Sequence, residues 1–167
     1  MSGLQLTTVI GATLFLIYCA IIFFINNRKV PESVSATSYI LTEHKKGYHF
    51  GFSLICLIVA CTLFPMWISI TPEVWMFLTF LACVGILFAG STPFFREGLE
   101  KPIHYIAGGI AGLAYIAWFI LVGGWIWLCV VIAMVGISLL WFWDWKPYVF
   151  WLEVWGLVIL TYRLMLY

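Results

Sequence analysis

The sequence predicts an all-α, polytopic transmembrane helical bundle that crosses a bilayer about six times as one integral domain over residues 1–167. Three observations lead to this fold class. Hydrophobic residues make up 65% of the chain and charged residues only 9%, whereas soluble proteins carry roughly 25% charged residues. The mean hydropathy is +1.10, and apolar runs of about 20 residues recur along the chain. Because so few charges cannot cover a water-facing surface, lipid must surround most of the protein.

The predicted spans are separated by short turns, with one exception. The first apolar run lacks the charged start and cleavage pattern of a signal peptide, so we expect it to remain in the mature protein. The polar connection 26–48 follows it, and its part 35–46 is predicted to form a short helix on the membrane surface. The six predicted spans cover residues 4–25, 49–70, 74–95, 102–122, 125–142 and 147–167.

The positions of the basic residues predict the orientation, because Lys and Arg of short loops stay on the cytoplasmic side. If the loop after the first span is inside, only Arg163 lies near the outer end of a span. Both termini are then predicted on the non-cytoplasmic side. The compact loops and this charge bias favour a bacterial inner membrane. The predicted cytoplasmic basic residues are Arg28, Lys29, Lys45, Lys46, Arg96, Lys101 and Lys146.

These seven residues form the first candidate site. They are suited to bind anionic lipid headgroups or a phosphorylated small ligand at the membrane surface. The alternative is that they only set the topology. The net charge of +1 gives no indication of a nucleic-acid partner, so membrane lipids are the predicted partners.

Glu153 is the second candidate, because it lies about 9 Å into the last predicted span. A carboxylate at such depth costs about 2–3 kcal/mol unless it is protonated, paired or hydrated. One interpretation is a carboxylate that binds a proton or pairs with a ligand. The other is a structural hydrogen bond to a neighbouring helix, or a side chain that reaches to the interface.

The histidines suggest a third candidate at the same membrane level. His44 and His49 flank the start of the second span, and His104 begins the fourth. Together with Asp144 and Glu153, His49 and His104 are the candidate catalytic residues. Such a cluster is suited to bind a metal or to relay protons. No His-x-x-x-His pattern exists, so interfacial hydrogen bonding is the simpler interpretation, and we predict neither a metal nor another cofactor. The five cysteines all lie in apolar runs and are interpreted as small hydrophobic residues.

Small residues four apart predict close helix packing. Gly85 and Ala89 have this spacing in the third span, and Gly108 and Gly112 have it in the fourth. Packing within one chain is the plain interpretation. A contact between copies of the chain is the alternative.

Some short stretches carry a resemblance to known families. Residues 85–93 and the start of the fourth span, Ile103-His104-Tyr105, resemble uncharacterised multi-pass proteins of bacteria and archaea of the domain-of-unknown-function type. The loop Pro31-Glu32-Ser33-Val34-Ser35 resembles the Pro/Ser loop of the DRAM-like six-helix family. The resemblance implies a six-helix membrane fold. The DRAM-like loop is expected on the outer or lumenal face, whereas charge places this one inside.

Three functions are consistent with these features. The first is a non-enzymatic bundle that forms a homo-oligomer or joins a membrane complex, as a channel or carrier; the lack of catalytic motifs favours it. The second is a membrane-embedded enzyme that acts on lipid at the cytoplasmic interface. The third is a membrane effector that senses a phosphorylated ligand through its basic rim.

Overall fold

The computed structural model describes residues 1–44, 50–92, 100–143 and 145–167, apart from the side chains of residues 44, 100 and 101. Helices occupy most of these ranges, and the predicted all-α bundle is confirmed. In chain order the helices are α1 (Gly3–Ile25), α2 (Thr37–His44), α3 (Phe50–Ser69), α4 (Met76–Ser91), α5 (Glu100–Trp118), α6 (Ile126–Phe142) and α7 (Tyr148–Met165).

Within the described ranges, five segments are long and apolar enough to cross a membrane. They contain α1, α3, α4, α5 and α7. The α4 segment includes a 3-10 turn over Glu73–Trp75, and the α5 segment continues into a π-helical turn over Phe119–Gly123. With 17 residues, α6 is shorter than each of these five segments. The short helix predicted at 35–46 is present as α2, which contacts α1 and α3.

Local interactions explain where α1 begins and ends. Ser2 caps its start, because the Ser2 hydroxyl accepts from the Gln5 N–H and the Gln5 side chain accepts from the Ser2 N–H. At its end, the Arg28 N–H donates to the Phe23 carbonyl and the Asn27 N–H donates to the Phe24 carbonyl. This is a Schellman motif, with Asn27 in the left-handed conformation at φ 54°. The chain therefore turns sharply at Asn27 and Arg28.

Close helix crossings occur where glycine faces a neighbouring helix. Gly11 of α1 lies against Thr62 of α3, and Gly90 of α4 lies against Cys56 of α3. At Gly85 of α4, an added Cβ would lie 2.8 Å from the Ala107 carbonyl oxygen of α5. These crossings order the helices as α1, α3, α4 and α5, while α7 packs against α1 and α6.

A buried aromatic cluster holds α3 and α5 together. The rings of Trp67 and Trp118 meet edge to face with centroids 5.6 Å apart, and both side chains are fully buried. The Trp118 indole N–H donates to the Thr71 hydroxyl at 2.9 Å, and Thr71 lies 3.1 Å from the Thr79 hydroxyl of α4. The polar ends of the α3–α4 connection are thus satisfied inside the bundle.

Arg163 has a structural partner near the end of the α5 segment. Its Nε donates to the Gly123 carbonyl oxygen at 2.8 Å, which would otherwise be an unpaired group at a helix end. The guanidinium also bonds the Tyr167 hydroxyl and lies over the Tyr167 ring. This contact connects α7 to the turn before α6.

Candidate functional site

The loop between α1 and α2 docks onto the first turns of α7. The Phe150 N–H donates to the Glu32 carbonyl oxygen at 3.1 Å, and the Val34 N–H donates to Glu153 Oε2 at 2.6 Å. Phe150 lies in the first turn of α7, where backbone N–H groups have no partner within the helix. The Phe150–Glu32 bond therefore satisfies an N–H group in the first turn of α7, and the Val34–Glu153 bond gives the carboxylate a hydrogen-bond donor.

Other hydrogen bonds satisfy the backbone of this loop. The Thr37 hydroxyl donates to the Val34 carbonyl oxygen at 2.5 Å, and the Ala36 N–H donates to the Ser33 hydroxyl at 3.1 Å. The Tyr18 hydroxyl of α1 lies 2.5 Å from the Thr37 hydroxyl. Non-helical backbone at membrane depth is tolerated only where protein covers it and its polar groups are paired or line a cavity. The loop meets this condition.

Glu153 lies on the buried face of α7 but is itself exposed. Residues spaced three and four along a helix share a face, and the buried residues Gly156, Leu160 and Leu164 continue the face of Glu153 toward the end of the helix. An exposed side chain on an otherwise buried face indicates that the described helices pack incompletely beside α7 at this level.

The geometry of α5 accounts for this incomplete packing. The Tyr115 hydroxyl donates to the Gly156 carbonyl oxygen at 2.9 Å and thereby joins α5 to α7. Gly108 precedes Tyr115 by two turns on the same face, and a Cβ added at Gly108 would meet no described atom within 4 Å. The two helices are joined at Tyr115, and no described residue packs against α5 at Gly108. We infer that α5 and α7 separate toward their N-terminal ends. We call the resulting space, with Glu153 on its α7 side, the α5–α7 opening.

The four candidate catalytic residues are only partly described. His104 contacts α4: its Nδ1 lies 3.4 Å from the Ala89 carbonyl oxygen and 3.5 Å from the Thr92 hydroxyl. Its ring packs 6.3 Å from that of Phe52. Glu153 has a different partner, Val34. His49 and Asp144 lie outside the described residues, as does the side chain of His44. Among the residues described, no group of three His, Cys, Asp or Glu side chains lies together as a metal site would require.

The predicted packing residues have different environments. Gly85 packs tightly against α5, and the Ala89 carbonyl lies beside His104. Gly108 and Gly112 are exposed, and neither has a described atom within 4 Å of an added Cβ. The contact expected at these two glycines within one chain is therefore not seen in the described part of the protein.

Three of the seven basic candidates line one cleft. Arg28 and Lys29 follow α1, and Lys146 precedes α7. Val30, Glu32 and Phe142 complete the lining, and the cavity volume is about 400 Å³. We call this the basic cleft. Lys45, Lys46 and Arg96 lie outside the described residues, as does the side chain of Lys101.

The sequence did not indicate the contacts that give these residues their partners. The bond from Val34 to Glu153 joins positions 119 residues apart. The indole N–H of Trp155 donates to the Ser138 hydroxyl at 2.8 Å, which links α7 to α6. Two sequence features marked residues that make such contacts: the polar Ser138 within an apolar span, and the Gly123-Gly124 break between two spans. No family model, curated protein or solved structure matches the chain, so the resemblance drawn from short stretches stays a prediction.

Proposed function

We propose that the chain is a non-enzymatic carrier or channel of six membrane spans that exchanges a proton at Glu153 through the α5–α7 opening. The observation that carries this proposal is the exposed Glu153 carboxylate on the otherwise buried face of α7. A carboxylate that only anchored a loop would need no open space. The Val34 N–H donates to Oε2 and leaves the other carboxylate oxygen to exchange the proton.

The number of spans and the orientation are part of this proposal. At 17 residues, α6 is about 25 Å long, near the shortest length that spans a bilayer. Arg28, Lys29 and Lys146 line one cleft, and Arg163 lies at the other end of α7. This distribution supports the basic cleft on the cytoplasmic side and both termini outside, and the inner membrane of a bacterium fits it.

A proton suits the site better than a metal cation. Hard cations take six or more oxygen ligands, or keep several waters beside their carboxylates. The described surroundings of Glu153 supply one further polar contact, the Val34 N–H, which is a donor. A single carboxylate in contact with a space beside the helix is sufficient to take up and release a proton.

The test is proton flux into liposomes that contain the purified protein, driven by a potassium diffusion potential and followed with an internal pH dye. We expect Glu153→Gln to lower the flux to that of protein-free liposomes, because the amide keeps the acceptor for Val34 but does not ionise. Glu73→Gln is the matched control, because Glu73 is exposed in the turn before α4, and it should leave the flux unchanged.

Two results would contradict the proposal. Wild-type flux equal to that of protein-free liposomes would exclude proton conduction. Equal flux above this baseline in wild type and Glu153→Gln would exclude Glu153 as the exchanging group.

A second candidate function, self-assembly, is favoured by the exposed glycines of α5. Gly108 and Gly112 leave open space where another helix backbone can approach closely, and right-handed membrane helix pairs use this four-residue spacing. A second copy of the chain that packs along α5 would fill that space.

A further inference from the structure

We infer that the basic cleft is a binding site for the phosphate headgroup of an anionic membrane lipid. The cleft is bordered by residues that follow the end of α1, by the last residue of α6 and by a residue before the start of α7. Helices of a membrane bundle end at the headgroup level. The cleft therefore lies where lipid phosphates are found.

The backbone of Arg28 and Lys29, which follow α1, is held in place by hydrogen bonds. The Schellman motif fixes the Arg28 N–H on the Phe23 carbonyl, and the Lys29 N–H donates to the Asn26 carbonyl oxygen at 3.0 Å. The Asn26 side-chain amide donates in turn to the Lys29 carbonyl oxygen at 2.9 Å. A rigid turn of this kind presents its side chains at a lower entropic cost on binding.

The charges and shape of the cleft fit a phosphate diester with attached acyl chains. Among the described residues, three basic side chains and one carboxylate, Glu32, line the cleft, and charge-assisted bonds from guanidinium and ammonium groups are strong for phosphate. Val30 and Phe142 supply apolar walls beside the charges. A soluble phosphate would use only the cationic part of this lining.

Three exposed tryptophans lie within three residues of Phe142 in the sequence. Trp141, Trp143 and Trp145 are 80%, 84% and 63% exposed. Tryptophan gathers at the membrane–water interface, where its ring is in the headgroup region. The connection from α6 to α7 thus has the composition of a segment in contact with headgroups, which favours a lipid as the source of the phosphate.

Native mass spectrometry of the delipidated protein, titrated with lipids, tests this inference. We expect wild type to bind phosphatidylglycerol more tightly than phosphatidylcholine with the same acyl chains. Arg28→Ala/Lys29→Ala should weaken the phosphatidylglycerol affinity about 30-fold, which corresponds to about 1 kcal/mol for each basic residue near a membrane surface. Glu32→Gln should strengthen it, because a carboxylate that lines the cleft loses its charge.

The comparison is Lys45→Ala/Lys46→Ala, which removes the same charge from two other neighbouring basic residues of the sequence and should weaken the affinity less than Arg28→Ala/Lys29→Ala does. An equal loss in both double variants would mean general attraction to basic residues and would overturn the inference. Glycerol 3-phosphate tests the soluble source; binding as tight as that of phosphatidylglycerol would replace the lipid with a free phosphate ester. No preference of wild type for the anionic lipid would also overturn it.

Discussion

At the scale of single residues, Glu153 has one observed role, as the acceptor for Val34, and one proposed role, as the group that exchanges a proton. Its Oε2 accepts the hydrogen bond of the buried Val34 backbone, and the proposed proton exchange needs a carboxylate that ionises. The first role needs an acceptor oxygen, whereas the second needs a group that ionises. Gln retains the first property and lacks the second, and Ala lacks both.

Unfolding measurements on these variants address the anchoring role. Glu153→Ala should lower the free energy of unfolding by about 1–3 kcal/mol, because the buried Val34 N–H loses its acceptor. Glu153→Gln should retain most of the stability. Thermal unfolding of both variants in one detergent checks the difference, and equal midpoints for Ala and Gln would mean that the hydrogen bond contributes little.

At the scale of helices, glycines of similar sequence context have opposite environments. Gly85 of α4 is in contact with the backbone of α5, whereas a Cβ added at Gly108 of α5 would meet no described atom within 4 Å. The Gly85 contact allows the two helix backbones to approach closely. Since lipid offers no hydrophobic driving force between helices, such close packing is a main source of their association.

The same substitution at both glycines provides a matched comparison. Gly85→Ala should destabilise the protein by about 1–3 kcal/mol, because the new methyl group would overlap the Ala107 carbonyl and Ala111. Gly108→Ala should be neutral or stabilising, since Ala favours the helix and meets no described atom. Unfolding midpoints in detergent measure both. A larger loss at Gly108 would contradict the helix arrangement described above.

At the scale of the whole molecule, the open surface of α5 bears on the oligomeric state. α5 contacts α4 along its buried face, and its exposed face carries Gly109, Gly112 and Leu113. A bundle that acts alone would present this face to lipid. One that self-assembles would cover it with a second copy.

The native mass of the gently solubilised protein decides between these states. We expect a defined oligomer for wild type and a shift toward the monomer for Gly112→Leu, because the larger side chain prevents close approach. Gly136→Leu in α6 is the control, since an added Cβ at Gly136 also meets no described atom within 4 Å. A strict wild-type monomer would exclude self-assembly, and an equal shift in both variants would show that the effect is not specific to α5.

The sequence by itself determined the fold class and the approximate ends of the helices. These depend on local composition: a run of apolar residues such as that of α3 must be helical in lipid, because each backbone group needs a partner within its own segment. Phe50–Ser69 falls within one residue of the predicted span at each end.

The tertiary structure alone decided which residues meet. These helices carry apolar side chains on most of their faces, because lipid and neighbouring helices are equally apolar surroundings. Hydropathy therefore does not specify how a helix is rotated or which helix lies beside it. The sequence could therefore single out Glu153 by its depth but could not find Val34, 119 residues away. It grouped Arg28 and Lys146 by side of the membrane, and only the packing of α7 against α1 placed them in one cleft.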